Sequence, residues 1–208
     1  MAQENFDEQE LVRDSDVLGW CFVDWNLNLN KQACAQAIWL YSANAAAQLC
    51  EAVDSEKPEG LEKRILTRRE AMLEHLYDRE RGLFVSGANR QVSWASQVWA
   101  VLAGVLTDEE AVRCLKTVKN DAGAVGMVTP YMMHHYIEAL CVVRQKDEAR
   151  QAMRTYWGAM VDHGADTFWE LFNPDNPDES PYGSPVVNSY CHAWSCTPTW
   201  FLRGGMMD

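Results

Sequence analysis

TPYMMHHYIEALCVVRQKDEARQAMRTYWGAMV, residues 129 to 161, is the stretch that decides the fold. Thr129 followed by Pro130 reads as a helix start, a cap residue with proline at the first helical position. Met133, Ile137, Leu140 and Cys141 then recur at three- and four-residue steps as far as about Arg144. Ala149, Met153, Tyr156 and Met160 do the same from Asp147 to about Val161. The Gln145-Lys146 link leaves no room for anything but antiparallel neighbours, so the stretch is one helical hairpin.

The pattern repeats toward the N-terminus. Ile38, Tyr41, Ala45, Leu49 and Ala52 mark a helix from about Lys31 to Val53, ending before Pro58. Leu61, Ile65, Met72, Leu73 and Leu76 mark a second, to about Tyr77. Leu83-Phe84-Val85, bounded by Ser86-Gly87, is long enough only for a small strand or an extended loop. Ala95, Val98, Trp99, Leu102 and Leu106 give a third helix. Thr107 with Glu110 three residues on is a capping box that starts a fourth, with Ala111, Leu115 and Val118 on its apolar face. A last helix is expected over about His192 to Leu202, kinked or restarted at Pro198. The sequence therefore describes an all-α chain of about seven helices in serial antiparallel hairpins. Long irregular segments lie at 19–29, 82–90, 121–129 and 164–189, and loops gathered at one end of such hairpins suggest an α/α toroid or solenoid.

Composition narrows the function classes. The 208 residues suffice to bury a core as a single domain, and 48% hydrophobic with 23% charged residues is ordinary for a globular protein. A formal net charge of −12 opposes a phosphate-tracking role, so no nucleic-acid partner is expected. No apolar run is long enough to span a membrane and Met1 to Glu10 is polar and acidic, so no membrane partner and a cytoplasmic location are expected. The seven cysteines show no zinc-type spacing and read as mostly buried free thiols. His134-His135 is an adjacent pair expected to point to two faces of its helix. Neither a metal nor a cofactor is expected. The acidic, proline-rich loop from Asn173 to Ser184 lacks the spacing of a calcium loop and reads as a solvated rim.

Chemistry concentrates in two segments, Gly164-Ala165-Asp166-Thr167-Phe168-Trp169-Glu170 and Asn188-Ser189-Tyr190-Cys191-His192-Ala193-Trp194-Ser195. They set a carboxylate beside one indole and an imidazole near another, residue types that can hold a sugar ring and act at its anomeric carbon. Each also has a plain structural reading. Glu170 can be a surface charge after a core tryptophan, and His192 can be a helix cap. Trp169 and Trp194 can be core, as Trp39 and Trp99 are expected to be from their place in helical stripes.

These two segments, together with Phe22-Val23-Asp24-Trp25, resemble in order the C-terminal half of the catalytic domain of bacterial α-L-rhamnosidases, six-hairpin glycosidases with an (α/α)6 barrel. The resemblance implies that residues 1–208 form the C-terminal portion of that domain, a partial (α/α)6 toroid in which residues 1–29 are an N-terminal extension and loop. It implies inverting hydrolysis of terminal α-L-rhamnosyl residues, with Glu170 the general base that activates water. His192 would contact sugar hydroxyls, Trp169 and Trp194 would be stacking platforms, and Asp24 and Trp25 would line the sugar pocket. Trp20 would line the same pocket. Val23 stands where the family has glycine.

The family's general acid lies in an Arg-Asp-Glu motif ahead of a Gly-Trp. Arg13-Asp14-Ser15-Asp16 and Gly19-Trp20 echo it without the glutamate. The chain is thus expected to be a fragment carrying part of an active site, or a small divergent relative. An open half-barrel would expose inner helical faces through which a homodimer could form. A non-catalytic carbohydrate-binding protein or a helical scaffold are the competing readings.

Overall fold

The computed structural model describes residues 3–14 and 21–204; Ser15, Asp16, Gly19 and Trp20, in the stretch that echoes the acid motif, lie outside the described residues. The chain folds into two compact units, one of residues 1–23 and 30–125, the other of residues 24–29 and 126–208.

The first unit contains α1 (Gln32–Ala52), α2 (Leu61–Ala71), a two-stranded antiparallel ribbon of β1 (Tyr77–Asp78) and β2 (Leu83–Phe84), α3 (Trp94–Leu102) and α4 (Asp108–Lys119). α1 packs on α2 and α3, and α3 packs on α4. The apolar stripe expected on α1 is not the one that is buried. Ala33, Cys34, Ala37, Leu40 and Ala43 are inside, whereas Tyr41, Ala45, Leu49 and Ala52 are exposed. Small side chains in the N-terminal half of α1 let neighbouring helices approach closely, and that outweighs the larger residues farther along.

Two helix ends differ from expectation. α2 leaves α-geometry at Ala71 and passes through a π-helical turn, Met72–Leu76, before the ribbon begins at Tyr77. α3 ends at Leu102 rather than Leu106, because Gly104 takes φ +66° and the Val105 amide returns to the Ala100 carbonyl at 3.1 Å. The α4 capping box forms as expected: the Glu110 amide donates to Thr107 Oγ1 at 3.4 Å and the Thr107 amide to Glu110 Oε2 at 3.0 Å.

Residues 3–14 contribute to the core of the first unit. Phe6, Leu11 and Val12 are buried. Arg68 of α2, itself buried, places its guanidinium carbon 3.4 Å from the Phe6 ring centroid and 4.2 Å from that of Trp39, and Arg68 Nε donates to Glu10 at 2.8 Å. Gln36 Oε1 accepts from the Val12 amide at 2.7 Å, while its Nε2 donates to the carbonyls of Glu10 and Arg68. Trp99 is core, as expected, and Trp39 is half-buried against Phe6.

The second unit holds the residues of interest. α5 (Pro130–Val142) and α6 (Lys146–Asp162) form the expected hairpin, and Thr129 caps α5 by accepting from the Met132 amide at 3.2 Å. Met132, Ile137, Leu140, Tyr156, Met160, Phe172 and Phe201 make its core. At the end of α6, Gly164 takes φ +100° and the Ala165 amide bonds back to the Met160 carbonyl at 3.1 Å. That turn throws the chain out of the hairpin into residues 165–172. The expected last helix is two pieces: a 3-10 turn, Ala193–Ser195, and α7, Pro198–Arg203, which restarts at the proline.

All seven cysteines are free: Cys34, Cys114 and Cys141 are buried, but Cys191 and Cys196 are exposed. Among the described residues, no helix is long and apolar enough to cross a membrane.

Candidate active site

The two motif segments lie side by side. The Glu170 amide donates to the Ser189 carbonyl at 2.8 Å, and the His192 amide donates to the Phe168 carbonyl at 2.7 Å. The Thr167 hydroxyl donates to the Tyr190 carbonyl and the Ser195 hydroxyl to the Trp169 carbonyl. Both strips are anchored to α6. Tyr156 donates its hydroxyl to the Phe172 carbonyl at 2.7 Å, and the Trp157 indole donates to the Ser195 carbonyl at 2.9 Å.

Glu170, 6% exposed, sits where the strips meet. Its Oε1 accepts from the Tyr182 hydroxyl at 2.7 Å and from the Trp25 indole at 3.3 Å, and its Oε2 accepts from the Ser189 amide at 3.0 Å. Burial pulls the carboxyl upward, but the donors of Tyr182, Ser189 and Trp25, with His192 nearby, outweigh it and hold the group below the usual carboxylate range. The same hydrogen bond pushes the Tyr182 phenol up to about 12. Three donors thus favour the carboxylate form of Glu170.

The Trp194 indole donates to the Glu170 carbonyl at 2.7 Å. His192 stacks on it, ring centroids 4.1 Å apart at 33°, and its Nδ1 accepts from the Trp194 amide at 3.4 Å. The capping role open to His192 from sequence is therefore filled, and its ring still lies close enough to influence Glu170. Trp169, next to Glu170 in sequence, belongs to a different cluster: it packs edge-to-face against Tyr190, Phe172 and His163 with centroids 5.1 to 6.0 Å away.

Asp24 is 4% exposed. One oxygen accepts from the Val128 amide at 2.9 Å and the other from Thr129 Oγ1 at 2.6 Å, tying the 24–29 segment to the start of α5. Burial raises its carboxyl to about 6 against the opposing pull of these donors. Trp25 follows, its ring edge-to-face with Tyr182 at 5.7 Å. Glu170, Trp25, His192 and Trp194 are thus brought together, while Asp24 holds the start of α5 and Trp169 stands apart.

Tyr182 carries no signal in the sequence beyond being a phenol in the loop between the two motifs. That loop is held by its own side chains: Ser180 Oγ donates to Asn188 Oδ1 at 2.7 Å, Asn173 Nδ2 to Glu179 at 2.6 Å, and Asn188 Nδ2 to the Glu179 carbonyl at 3.1 Å. Asp175 and Asp178 are exposed, in keeping with a solvated rim. The adjacent histidines of α5 do not point to two faces of the helix. The rings of His134 and His135 meet, 5.0 Å apart, and both reach Glu138, because long side chains one residue apart can bend toward the residue one turn on.

A family model described as the bacterial alpha-L-rhamnosidase 6 hairpin glycosidase domain matches residues 2–204. A solved rhamnosidase from Klebsiella oxytoca with rhamnose bound is 48% identical, with a TM-score of 0.90 over 97% of this chain and 39% of that one. A GH78 family rhamnosidase of Bacillus sp. GL1 shares the fold at 24% identity, with a TM-score of 0.80 over 97% of this chain and 22% of its own. No curated protein sequence matches. The chain therefore spans about two fifths of the first relative's length or less. Its helical hairpins and its match across nearly every residue make it a member of the bacterial α-L-rhamnosidase family, in the region of the six-hairpin glycosidase domain.

Proposed function

We propose that this chain contributes the base side of an inverting α-L-rhamnosidase site, with Glu170 activating the water that attacks the anomeric carbon. The observation that carries this reading is the set of three donors on Glu170, which keeps its carboxylate ionised and aimed beside the indoles of Trp25 and Trp194. Oε1 already holds two donors. Oε2 holds one among the described residues, the Ser189 amide, so its remaining acceptor position is the one that takes a proton from water. The water oxygen bonds to the anomeric carbon as the glycosidic bond breaks. The departing oxygen needs a proton from a carboxylic acid that this reading does not assign to the described residues.

In this reading the Trp25 and Trp194 indoles and the His192 ring border the sugar, an apolar wall with one imidazole suited to a deoxy sugar carrying a methyl group. Asp24 acts through its grip on Val128 and Thr129, which fixes the backbone that presents Trp25. A direct hydrogen bond to Asp24 requires the sugar to reach a carboxylate 4% exposed. Trp169 backs the Glu170 strip through its packing on Phe172 and Tyr190 and is not assigned a sugar contact.

Calorimetric titration with L-rhamnose tests the binding half of the proposal. Saturable heat that Trp194→Ala weakens supports it; no heat from folded protein contradicts it. A carbohydrate-binding role without hydrolysis is favoured by one observation, that both Glu170 oxygens already accept hydrogen bonds. Retained rhamnose binding with no glycoside cleavage would establish it.

A further inference from the structure

We propose that His134, His135 and Glu138 on α5 form a binding site for a divalent transition-metal cation of the zinc class. The three residues bring one ligand atom each within 4.8 Å of one another. Nε2 of His134 lies 3.8 Å from Glu138 Oε2, and Nδ1 of His135 lies 3.3 Å from the same oxygen. The spacing is the reason. Residues three and four apart share a helix face, so His135 and His134 approach Glu138 from adjacent positions one turn away. Paired ligands at these two separations are how helices hold metals elsewhere, in Glu-x-x-His and in His-Glu-x-x-His arrangements.

The donor set specifies the cation. Two imidazoles and one carboxylate suit zinc and its first-row neighbours, whereas magnesium and calcium prefer oxygen ligands alone. Metal–ligand bonds of about 2.0–2.2 Å put ligand atoms about 3–4 Å apart around one ion, so the observed spread closes with a small side-chain rotation. The cation would replace the His135–Glu138 contact. Nδ1 of His135 would bind as the neutral tautomer, with its proton on Nε2.

The side chains of the three residues are 20%, 15% and 19% exposed, so an ion can reach them from solvent. Three protein ligands leave at least one coordination position open. Aromatic rings frame the cluster: Phe201 and Trp200 lie 4.9 and 5.6 Å from the His134 ring, and Tyr131 lies 4.6 Å from the His135 ring. Tyr131 also touches Trp194 at 5.8 Å, so a bound ion would stiffen the wall that carries the Glu170 strip. The binding claim does not depend on the glycosidase reading.

The full chain is titrated with Zn2+ after removal of trace metal by a chelator, by calorimetry and by proton NMR of the imidazole rings. One ion should bind per chain. In the unmodified protein the ring resonances of two histidines should shift, assigned to His134 and His135 by their loss in the variants, while those of His75, His163 and His192 stay. His134→Ala and Glu138→Gln should each weaken binding by at least about tenfold, the loss that even an outer-shell partner can produce. Failure of saturable binding overturns the proposal. So does binding that leaves the two ring resonances unmoved, or that is abolished by thiol alkylation and indifferent to Glu138→Gln. If His134→Ala does not fold, Glu138→Gln and the resonances of the unmodified protein decide the matter.

Discussion

The Tyr182 hydroxyl donates to Oε1 of Glu170 across 2.7 Å, joining the loop between the two motifs to the carboxylate at their junction. Removing that donor should weaken the bias toward the ionised form. Tyr182→Phe is therefore expected to raise the Glu170 pKa, read from the carboxyl carbon shift of 13C-labelled glutamate across a pH titration. The sign follows from linkage: a carboxyl lowered on folding stabilises the protein above its unfolded pKa and loses that contribution as pH falls through the folded value. Tyr182→Phe should thus cost about 1 kcal/mol of stability near neutral pH, the worth of a hydrogen bond, and less in acid. An unchanged Glu170 titration would sever the link.

Asp24 should act in the opposite sense. Its carboxyl, raised by burial to about 6 from an unfolded value of 3.8, makes the folded state hold more protons between those values. Its contribution is complete below about pH 4 and is lost as pH rises through about 6, an effect of about 3 kcal/mol for a shift of this size. Urea unfolding across pH 3.5 to 7 should show this falling component in the wild type and lose it in Asp24→Asn. The substitution should also cost about 1–3 kcal/mol, because the Val128 amide and Thr129 hydroxyl donate to different oxygens of Asp24 and asparagine puts an NH2 group, itself a donor, in place of one of them. A stability difference between the two proteins that does not change with pH would contradict the account.

How far the sequence carried varies with the range of the interaction. The α5–α6 hairpin and the Thr107–Glu110 box are legible because each depends on residues a few positions apart. The buried face of α1 is not, since Ala33, Cys34 and Ala37 signal burial only once a neighbouring helix lies against them. In the site, Glu170 and His192 stand out through family resemblance. Tyr182 does not, because only the folded path of a 16-residue loop, 173 to 188, returns its hydroxyl to Glu170. The engagement of Asp24 with Val128 and Thr129, more than a hundred residues away, has no local signature.

The Arg68 cluster predicts how residues 3–14 are held. Arg68→Ala removes a buried guanidinium packed on Phe6 and Trp39 together with its hydrogen bond to the partly exposed Glu10, a loss expected to cost about 2–4 kcal/mol. Arg68→Met keeps much of the packing and should cost less. Limited proteolysis should cut within residues 3–14 faster in Arg68→Ala than in the wild type, with Arg68→Met between. Equal cutting rates in all three would mean the segment is held by other contacts.

Glu170 as the water-activating base is the claim on which the functional reading turns. Release of 4-nitrophenol from 4-nitrophenyl α-L-rhamnoside, followed for the wild type and Glu170→Gln, tests it most directly. 4-Nitrophenolate departs without the proton donor that a sugar leaving group needs, and the amide, which keeps an acceptor for Tyr182 and Trp25, cannot take a proton from water, so the rate should fall by about 10²–10⁴-fold with rhamnose binding retained. Equal rates for the two proteins, including two rates no faster than the uncatalysed reaction, would contradict it.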